Sequence, residues 1–124
     1  MIDPELAKDF TQDWIEAWNT HDIERILAHY DDTIEMVSPL IVERLGKTDG
    51  QLRGKAAVRK YWLPSLVQDP PLVFELLGVF AGVDSVTIHY HNRGRRVVAE
   101  TLFLNDSLKV TRGVVHWSVM RPQE

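Results

Sequence analysis

Histidine side chains in the second half of the chain are the first candidates for chemistry. His89 and His91 stand two residues apart, so on a β-strand they face the same way, and His116 lies on a nearby predicted strand. Imidazole titrates near neutral pH and also binds metals, so these side chains are candidate general bases or metal ligands. A His-x-His pair without a firm third ligand is weak evidence for a metal, and we predict no metal site and no cofactor. His89 stays a candidate for proton transfer.

Aromatic side chains form a second candidate set, suited to the wall of a small-molecule pocket. Tryptophan and tyrosine combine broad apolar surface with one polar group, and core filling is the alternative for each of them. The set comprises Trp14, Trp18, Tyr61, Trp62 and Trp117. We assign Trp18 to the core, and Met36 is a further lining candidate.

Three arginines form a third set. Arg93, Arg95 and Arg96 surround Gly94, which predicts a basic hairpin tip. A solvated turn is the simplest interpretation. The alternative is an anion, or a ligand that carries a carboxylate, bound at the pocket rim.

Length and composition limit the class of protein. The chain has 124 residues, of which 44% are hydrophobic and 26% charged, which predicts one globular domain over residues 1–124. It contains no cysteine, which excludes a disulfide scaffold and thiol catalysis and fits the predicted cytoplasmic location. A net charge of −4 disfavours nucleic acid and anionic lipid, and there is no long apolar run, so we predict neither a nucleic-acid partner nor a membrane one.

The first half of the chain reads as helices. Asp3, Pro4 and Glu5 have the pattern of a helix start, and an apolar stripe follows them at every fourth residue. A second, short helix runs from Ile23 to Tyr30. The third follows Gly54, and we expect Pro64 to kink or end it. The members of the first apolar stripe are Leu6, Phe10, Trp14 and Trp18.

The second half reads as strands separated by short turns, which predicts an antiparallel meander. A strand at Ile34–Ser38 precedes it, with Pro39 at its end, and Leu40–Gly54 is predicted as an irregular loop with at most a short hairpin. Helices come first and strands last, which is typical of the α+β class. The four later strands are Val73–Ala81, Ser85–His91, Arg95–Leu104 and Leu108–Met120.

Three local motifs occur in this order: the segment Thr20–Asp32, the run Gly54–Arg59, and His116-Trp117-Ser118. The chain thereby resembles the nuclear transport factor 2-like superfamily, and within it the SnoaL-like polyketide cyclases and steroid Δ-isomerases. The resemblance implies a cone-shaped α+β domain in which three N-terminal helices pack on a strongly curved, mostly antiparallel sheet and enclose a pocket. It also implies a homodimer through the sheet, and a tryptophan that borders the cavity at the position of Trp117. Isomerases, cyclases and pure binding modules share this scaffold, so it does not select a function.

The resemblance also places three positions. In ketosteroid isomerases one carboxylate moves a proton, while a tyrosine and a neutral carboxylic acid stabilise the enolate oxygen. Counting from the shared motifs, the tyrosine position falls on Trp14, the proton-carrying aspartate on Ser38 and the neutral acid on Glu100. Serine is no general base near neutral pH, and indole is a weaker donor than phenol, so ketosteroid isomerisation is not predicted here.

Glu100 is therefore the main catalytic candidate. If it faces an apolar pocket, desolvation raises its pKa and makes it an acid, a base or a hydrogen-bond donor. The alternative is an ion pair with Arg96 or Arg112 that only holds the sheet together.

The sequence predicts a protein that binds a small, largely apolar molecule, and it leaves open whether the protein is an enzyme. Proton transfer would rest on Glu100 and His89. The alternative is a non-catalytic module whose sheet face pairs with a second copy or another partner through Val97, Ala99, Phe103 and Val114. The predicted ligand-binding residues are Trp14, Met36, Ser38, Tyr61, Trp62 and Trp117.

Overall fold

A computed structural model describes residues 1–120 of the chain. The helices are α1 (Pro4–Thr20), α2 (Ile23–Leu27), α3 (Pro39–Leu45) and α4 (Lys55–Leu66). The strands are β1 (Tyr30–Val37), β2 (Gln51–Arg53), β3 (Phe74–Ala81), β4 (Ser85–Asn92), β5 (Val97–Leu104) and β6 (Val110–Trp117). Within the described residues, no helix combines the length and the apolar character needed to cross a membrane.

The strands form one curved, unclosed sheet in the order β2-β1-β6-β5-β4-β3. Only the β1–β6 pairing is parallel among the strand pairs of the described residues, and the others are antiparallel. The helices pack against the concave face. The predicted α+β class and the mostly antiparallel curved sheet are thus confirmed.

Alternation along β4 and β5 decides which side chains face the helices. Ile88 and Tyr90 on β4 are buried, as are Val98 and Glu100 on β5, and Ile88 pairs directly with Glu100. Opposed residues of an antiparallel pair point to the same side of a sheet. The concave side therefore carries the core, with Glu100 within it.

The predicted start of α1 is confirmed. The Asp3 side chain accepts a hydrogen bond from the backbone N–H of Leu6 at 3.1 Å, and Pro4 occupies the first turn. Asp22 caps α2 in the same way, accepting from the N–H of Glu24 at 3.0 Å. The second predicted helix is shorter than expected, because Tyr30 already belongs to β1.

The prediction of an irregular loop from Leu40 to Gly54 is wrong. Ser38 caps a helix there: its side chain accepts from the N–H of Leu40 at 3.2 Å, and Pro39 occupies the first turn of α3. A proline in the first turn costs no hydrogen bond, because that N–H has no partner within a helix. The short strand β2 follows α3, and Pro64 lies inside the last turn of α4, which continues to Leu66.

Asn19 joins the end of α1 to the start of β3. Its side-chain amide donates to the backbone carbonyl of Phe74 at 3.0 Å, and its oxygen accepts from the N–H of Phe74 at 2.8 Å. Nearby, the His21 ring contacts the carbonyl of Leu72 at 2.6 Å. β3 is an edge strand and has a neighbouring strand on one side only. These bonds to α1 and His21 therefore help to fix the position of Leu72 and Phe74 beneath the helices.

Replacing Asn19 with Ala should lower the free energy of unfolding by about 1–3 kcal/mol, because the N–H and carbonyl of Phe74 lose their partners. Urea denaturation followed by far-ultraviolet circular dichroism measures the change. Gln12→Ala, at an exposed position of the same helix, is the control and should change stability by less than about 0.5 kcal/mol. Equal stability of the two variants would contradict a structural role for the Asn19 bonds.

Candidate functional site

A cavity of about 110 Å³ lies between the concave face of the sheet and helices α1, α3 and α4. Its wall is mainly aromatic and aliphatic, with a few polar groups at the bottom and at the mouth. The aromatic wall comprises Trp18, Tyr61, Trp62, Phe74, Tyr90 and Trp117. Apolar walls with a small number of polar groups are the usual composition of ligand pockets.

Glu100 is the one carboxylate among the described residues that is both buried and part of this wall. Its exposed fraction is 4%, and its carboxylate accepts a hydrogen bond from the Tyr90 hydroxyl at 2.8 Å. Among the described residues it forms no ion pair: Arg112 contacts Glu35 instead, and Arg96 stacks over a tryptophan ring. No cationic side chain of the described residues therefore compensates a negative charge on Glu100, and the Tyr90 hydroxyl is its one hydrogen-bond partner there.

Burial raises the pKa of Glu100 from its ordinary value of 4.5 to about 7, although the hydrogen bond from Tyr90 opposes this rise. The carboxyl group is therefore divided between its acid and base forms near neutral pH. A group that exchanges protons at the working pH has the pKa that general acid–base catalysis requires.

Tyrosine hydroxyls surround Glu100 and stay protonated. Burial and the charge of Glu100 raise the pKa of both Tyr30 and Tyr90 far above the ordinary value. Burial also raises the pKa of Tyr61 to about 12, with a smaller contribution from Glu100. All three are therefore neutral hydroxyls. Tyr90 already donates to Glu100 and Tyr30 lies outside the cavity, so Tyr61 is the one of the three that could donate to a ligand oxygen.

Three buried polar atoms of the cavity wall form no hydrogen bond within the described part of the chain. They are the indole nitrogen of Trp18, the hydroxyl of Tyr61 and the side-chain oxygen of Asn92. The Trp18 nitrogen is near the Tyr30 hydroxyl and helps to lower the pKa of that group, but it forms no hydrogen bond with it. Buried polar atoms are normally paired, so pairing within this part of the cavity wall is incomplete.

The mouth of the cavity is polar and basic. Arg44 on α3 donates to the Ser65 hydroxyl at 3.0 Å, and Arg95 in the β4–β5 turn donates to the side-chain oxygen of Gln68 at 3.2 Å. Arg96 lies over the Trp117 ring, with its guanidinium carbon 3.7 Å from the ring centre. Polar groups thus border an apolar interior.

The structure brings most of the predicted site residues together at this cavity. Glu100 lies there with five of the predicted ligand-binding residues: Met36, Ser38, Tyr61, Trp62 and Trp117. Ser38 has a structural task as well, because its hydroxyl caps α3.

Trp14 lies outside the cavity. It is 1% exposed, and its indole N–H donates to the Tyr30 hydroxyl at 2.9 Å, so its polar group is already used within the core. Trp18, which the sequence assigned to the core, lines the cavity instead. The two tryptophans lie one helical turn apart on the same face of α1. Their different roles therefore depend on their position along the helix axis and not on the face that they occupy.

His89 lies on the other face of the sheet from Glu100. It pairs with Gly78 and Ala99, whereas the neighbouring Ile88 and Tyr90 point inward. Its imidazole therefore does not reach the cavity. Within residues 1–120, no three histidine, aspartate or glutamate side chains come close enough to hold a metal ion.

Sequence reasoning missed Tyr90 as the partner of Glu100, and it missed Arg44 and Gln68 at the mouth. Alternation along the strand places Tyr90 on the same face as Ile88. Pairing of β4 with β5 puts Glu100 opposite Ile88, so the closeness of Tyr90 to Glu100 was predictable once that pairing was known. Arg44 had no such signal, because its helix was predicted as a loop.

The order of elements, the curved sheet and the cavity define a cone-shaped domain of the nuclear transport factor 2-like class. The model of the SnoaL-like domain matches residues 11–121, and the chain belongs to this family. A search of curated proteins gives no significant match.

Solved structures agree with this placement. A SnoaL-like protein of unknown function from Burkholderia thailandensis E264 has 41% sequence identity and a TM-score of 0.91, covering 94% of this chain and 98% of that one. The epoxide hydrolase/cyclase-like enzyme SalBIII, described for its role in pyran ring formation in the polyether salinomycin, shares the fold at 20% identity with a TM-score of 0.68, covering 96% and 95%.

A third structure shares the fold at lower identity. It is a protein with a ketosteroid isomerase-like fold from Catenulispora acidiphila DSM 44928, in complex with trimethylamine. Its identity is 13% and its TM-score 0.69, with coverage of 90% of this chain and 86% of that one.

The raised pKa of Glu100 predicts a pH-dependent stability. The folded protein keeps a proton on Glu100 up to about pH 7, whereas the unfolded chain loses it near 4.5. The stability contribution of Glu100 is therefore complete below about pH 4.5 and lost as pH rises through about 7, a change of about 3 kcal/mol. In Glu100→Gln this loss is absent.

Urea unfolding of the two proteins at about pH 5 and about pH 8 measures the effect, and the variant should gain up to about 3 kcal/mol over the natural protein between these pH values. Glu75→Gln is the control. Neighbouring Arg93 and His91 lower the pKa of Glu75, so its contribution is lost only as pH falls. If the free energies of unfolding of Glu100→Gln and of the natural protein differed by the same amount at both pH values, Glu100 would not titrate in this range.

Proposed function

We propose that this protein binds a small, largely apolar molecule in the cavity and transfers a proton on it, with Glu100 as the proton carrier. The observation that carries the proposal is a buried carboxyl group, without a cationic partner, on the wall of an aromatic cavity. Burial of a carboxyl group without a cationic partner lowers the stability of a folded protein, so its presence on a cavity wall favours a functional role. The structural alternative of an arginine pair has no contact to support it in residues 1–120.

The groups around Glu100 suit proton abstraction next to a carbonyl. Glu100 as carboxylate would take a proton from carbon, and the electron pair of the broken C–H bond would move to the carbonyl oxygen. The hydroxyl of Tyr61, which lines the cavity and has no hydrogen-bond partner among residues 1–120, would donate to that oxygen. Return of the proton from Glu100 to another carbon of the enolate completes an isomerase-like reaction. In a cyclase-like reaction the enolate carbon would instead bond to a second carbonyl carbon of the same ligand, and Glu100 would return the proton to the alkoxide oxygen formed there, with no other reactant.

Cavity size limits the ligand. Pockets for drug-sized molecules enclose about 300–1,000 Å³. The cavity here encloses about 110 Å³, so the buried part of the ligand is about the size of one or two small rings. A longer ligand would extend past the mouth.

The fold neighbours support the same class of chemistry. The family shares its fold with SalBIII, an epoxide hydrolase/cyclase-like enzyme. Trp14 and Ser38 replace the tyrosine and aspartate that the isomerase resemblance implies, so the proposed chemistry depends on Glu100 with different donors. A single domain over residues 1–124 and a cytoplasmic location remain part of the proposal.

A probe reaction tests for the proposed base. In 5-nitrobenzisoxazole, a base removes the ring C–H proton, the N–O bond breaks, and a coloured cyanophenolate forms. The natural protein should accelerate this elimination, with a rate that rises with pH to a plateau above about 7. Glu100→Gln should lower kcat/KM by about 10²–10⁴-fold, the usual contribution of a general base.

Glu75→Gln, at an exposed position of β3, is the matched control and should keep the full rate. Quenching of the cavity tryptophans Trp18, Trp62 and Trp117 measures binding of the probe separately from the reaction. A rate no faster than that of acetate in solution, or an unchanged rate in Glu100→Gln, would remove Glu100 from the proposal.

A second candidate function is homodimerisation through the outer face of the sheet. Val97, Ala99, Phe103 and Val114 are partly exposed there, and Phe80, which pairs with Thr87 on the same face, is 60% exposed. Apolar side chains exposed on one sheet face favour a contact with another protein surface.

Light scattering coupled to size-exclusion chromatography tests the dimer. The natural protein should elute with the mass of two chains, and Phe80→Lys should shift it towards one chain, because a charge would be buried at the interface. Thr20→Lys, at an exposed position on α1, is the control. A natural protein that stays monomeric at high concentration would exclude this interface.

A further inference from the structure

The arginines at the cavity mouth differ from the other arginines of the described chain. Arg25, Arg53, Arg59, Arg93 and Arg112 each lie within ion-pair distance of a carboxylate. Arg44, Arg95 and Arg96 have no carboxylate within that distance among residues 1–120. Their contacts are a serine hydroxyl, an amide oxygen and an aromatic ring.

These guanidinium groups face one opening from two sides. Arg44 comes from α3 and Arg95 from the β4–β5 turn, and both belong to the wall that also contains Glu100. Glu43 borders the outer part of the same opening but pairs with neither arginine. Since the whole chain has a net charge of −4, this concentration of positive charge is a local feature.

The neutral partners leave most of the donors of these arginines unused. A guanidinium group has five N–H donors, arranged so that two can bind both oxygens of a carboxylate. The hydroxyl of Ser65 and the oxygen of Gln68 each occupy one donor. Both contacts also hold the long side chains at the mouth, which lowers the entropy lost on binding an anion.

We infer that the ligand carries a carboxylate at its outer end, held by Arg44 and Arg95, while its apolar body lies against the aromatic wall. The inference rests on the proposed binding function and adds the chemical class of the ligand. It explains a mouth whose charge is opposite to that of the protein. It also fixes the orientation of the ligand, because the end opposite the carboxylate enters the cavity towards Glu100.

Two matched compounds test this inference: 3-phenylpropanoate, which carries a carboxylate, and 3-phenylpropanamide, which has nearly the same shape without charge. Quenching of tryptophan fluorescence gives the dissociation constant of each. The natural protein should bind the acid about tenfold or more tightly than the amide, and added salt should weaken only the acid.

The variant Arg44→Met/Arg95→Met keeps two long side chains at exposed positions and removes both charges, so we expect little change in the stability of the fold. It should bind the amide as the natural protein does and lose the preference for the acid. Arg93→Met is the matched control, because Arg93 lies in the same turn but contacts Glu75. It should keep the preference.

The outcomes separate this inference from the proposed proton transfer. Equal binding of acid and amide by the natural protein, or a preference that persists in the double variant, would overturn the carboxylate site and leave Glu100 untouched. A preserved preference with an inactive probe reaction would overturn proton transfer and keep the carboxylate site. Absence of binding by both compounds would overturn the carboxylate site together with binding in the cavity.

Discussion

Curvature of the sheet around α1 is the constraint on which the rest of the structure depends, and the contacts of Trp14 with both halves of the sheet show it. Its indole N–H binds Tyr30 on β1, and its ring lies 5.8 Å from that of Phe74 on β3. Three strands separate β1 from β3, a distance of roughly 19 Å across a flat sheet. One side chain contacts both only because the sheet curves around α1. The same curvature places α3 and α4 opposite the ends of β1 and β6, where side chains do not fill the space, and the cavity lies there.

The apolar wall is the physical cause of the raised pKa of Glu100. Aromatic rings exclude water from the carboxylate, so its charged form is destabilised and its pKa rises to about 7. A nearby arginine would cancel this effect, and the structure keeps its arginines at the mouth instead. The protein is therefore less stable at neutral pH than it would be without this burial, and under the proposed function the same burial supplies a carboxyl group that exchanges protons there. Functional sites commonly contain groups that lower the free energy of unfolding in this way.

Local patterns predicted most of the secondary structure, and they failed where two signals conflicted. Ser38 and Pro39 repeat the helix start that Asp3 and Pro4 form at α1. The glycines and polar residues that follow indicated a loop, and they outweighed that signal. The helix α3 forms because the cap and proline organise its first turn, and because Ile41 is completely buried against the core. Burial of this kind depends on the rest of the chain and is not visible in a short segment.

The sequence by itself determined the class of fold, the apolar stripe of α1 and the strand face that carries Glu100, because these follow from periods of 3.6 and 2 residues along the chain. Only the tertiary structure decided which tryptophan lines the cavity, that His89 lies on the outer face, and that Arg44 and Arg95 border the same cavity. The period of a helix or strand determines which face of the element a residue occupies, but not how far that face lies from the next element. Pairing, burial and pKa depend on those distances, so they follow from the packed chain alone.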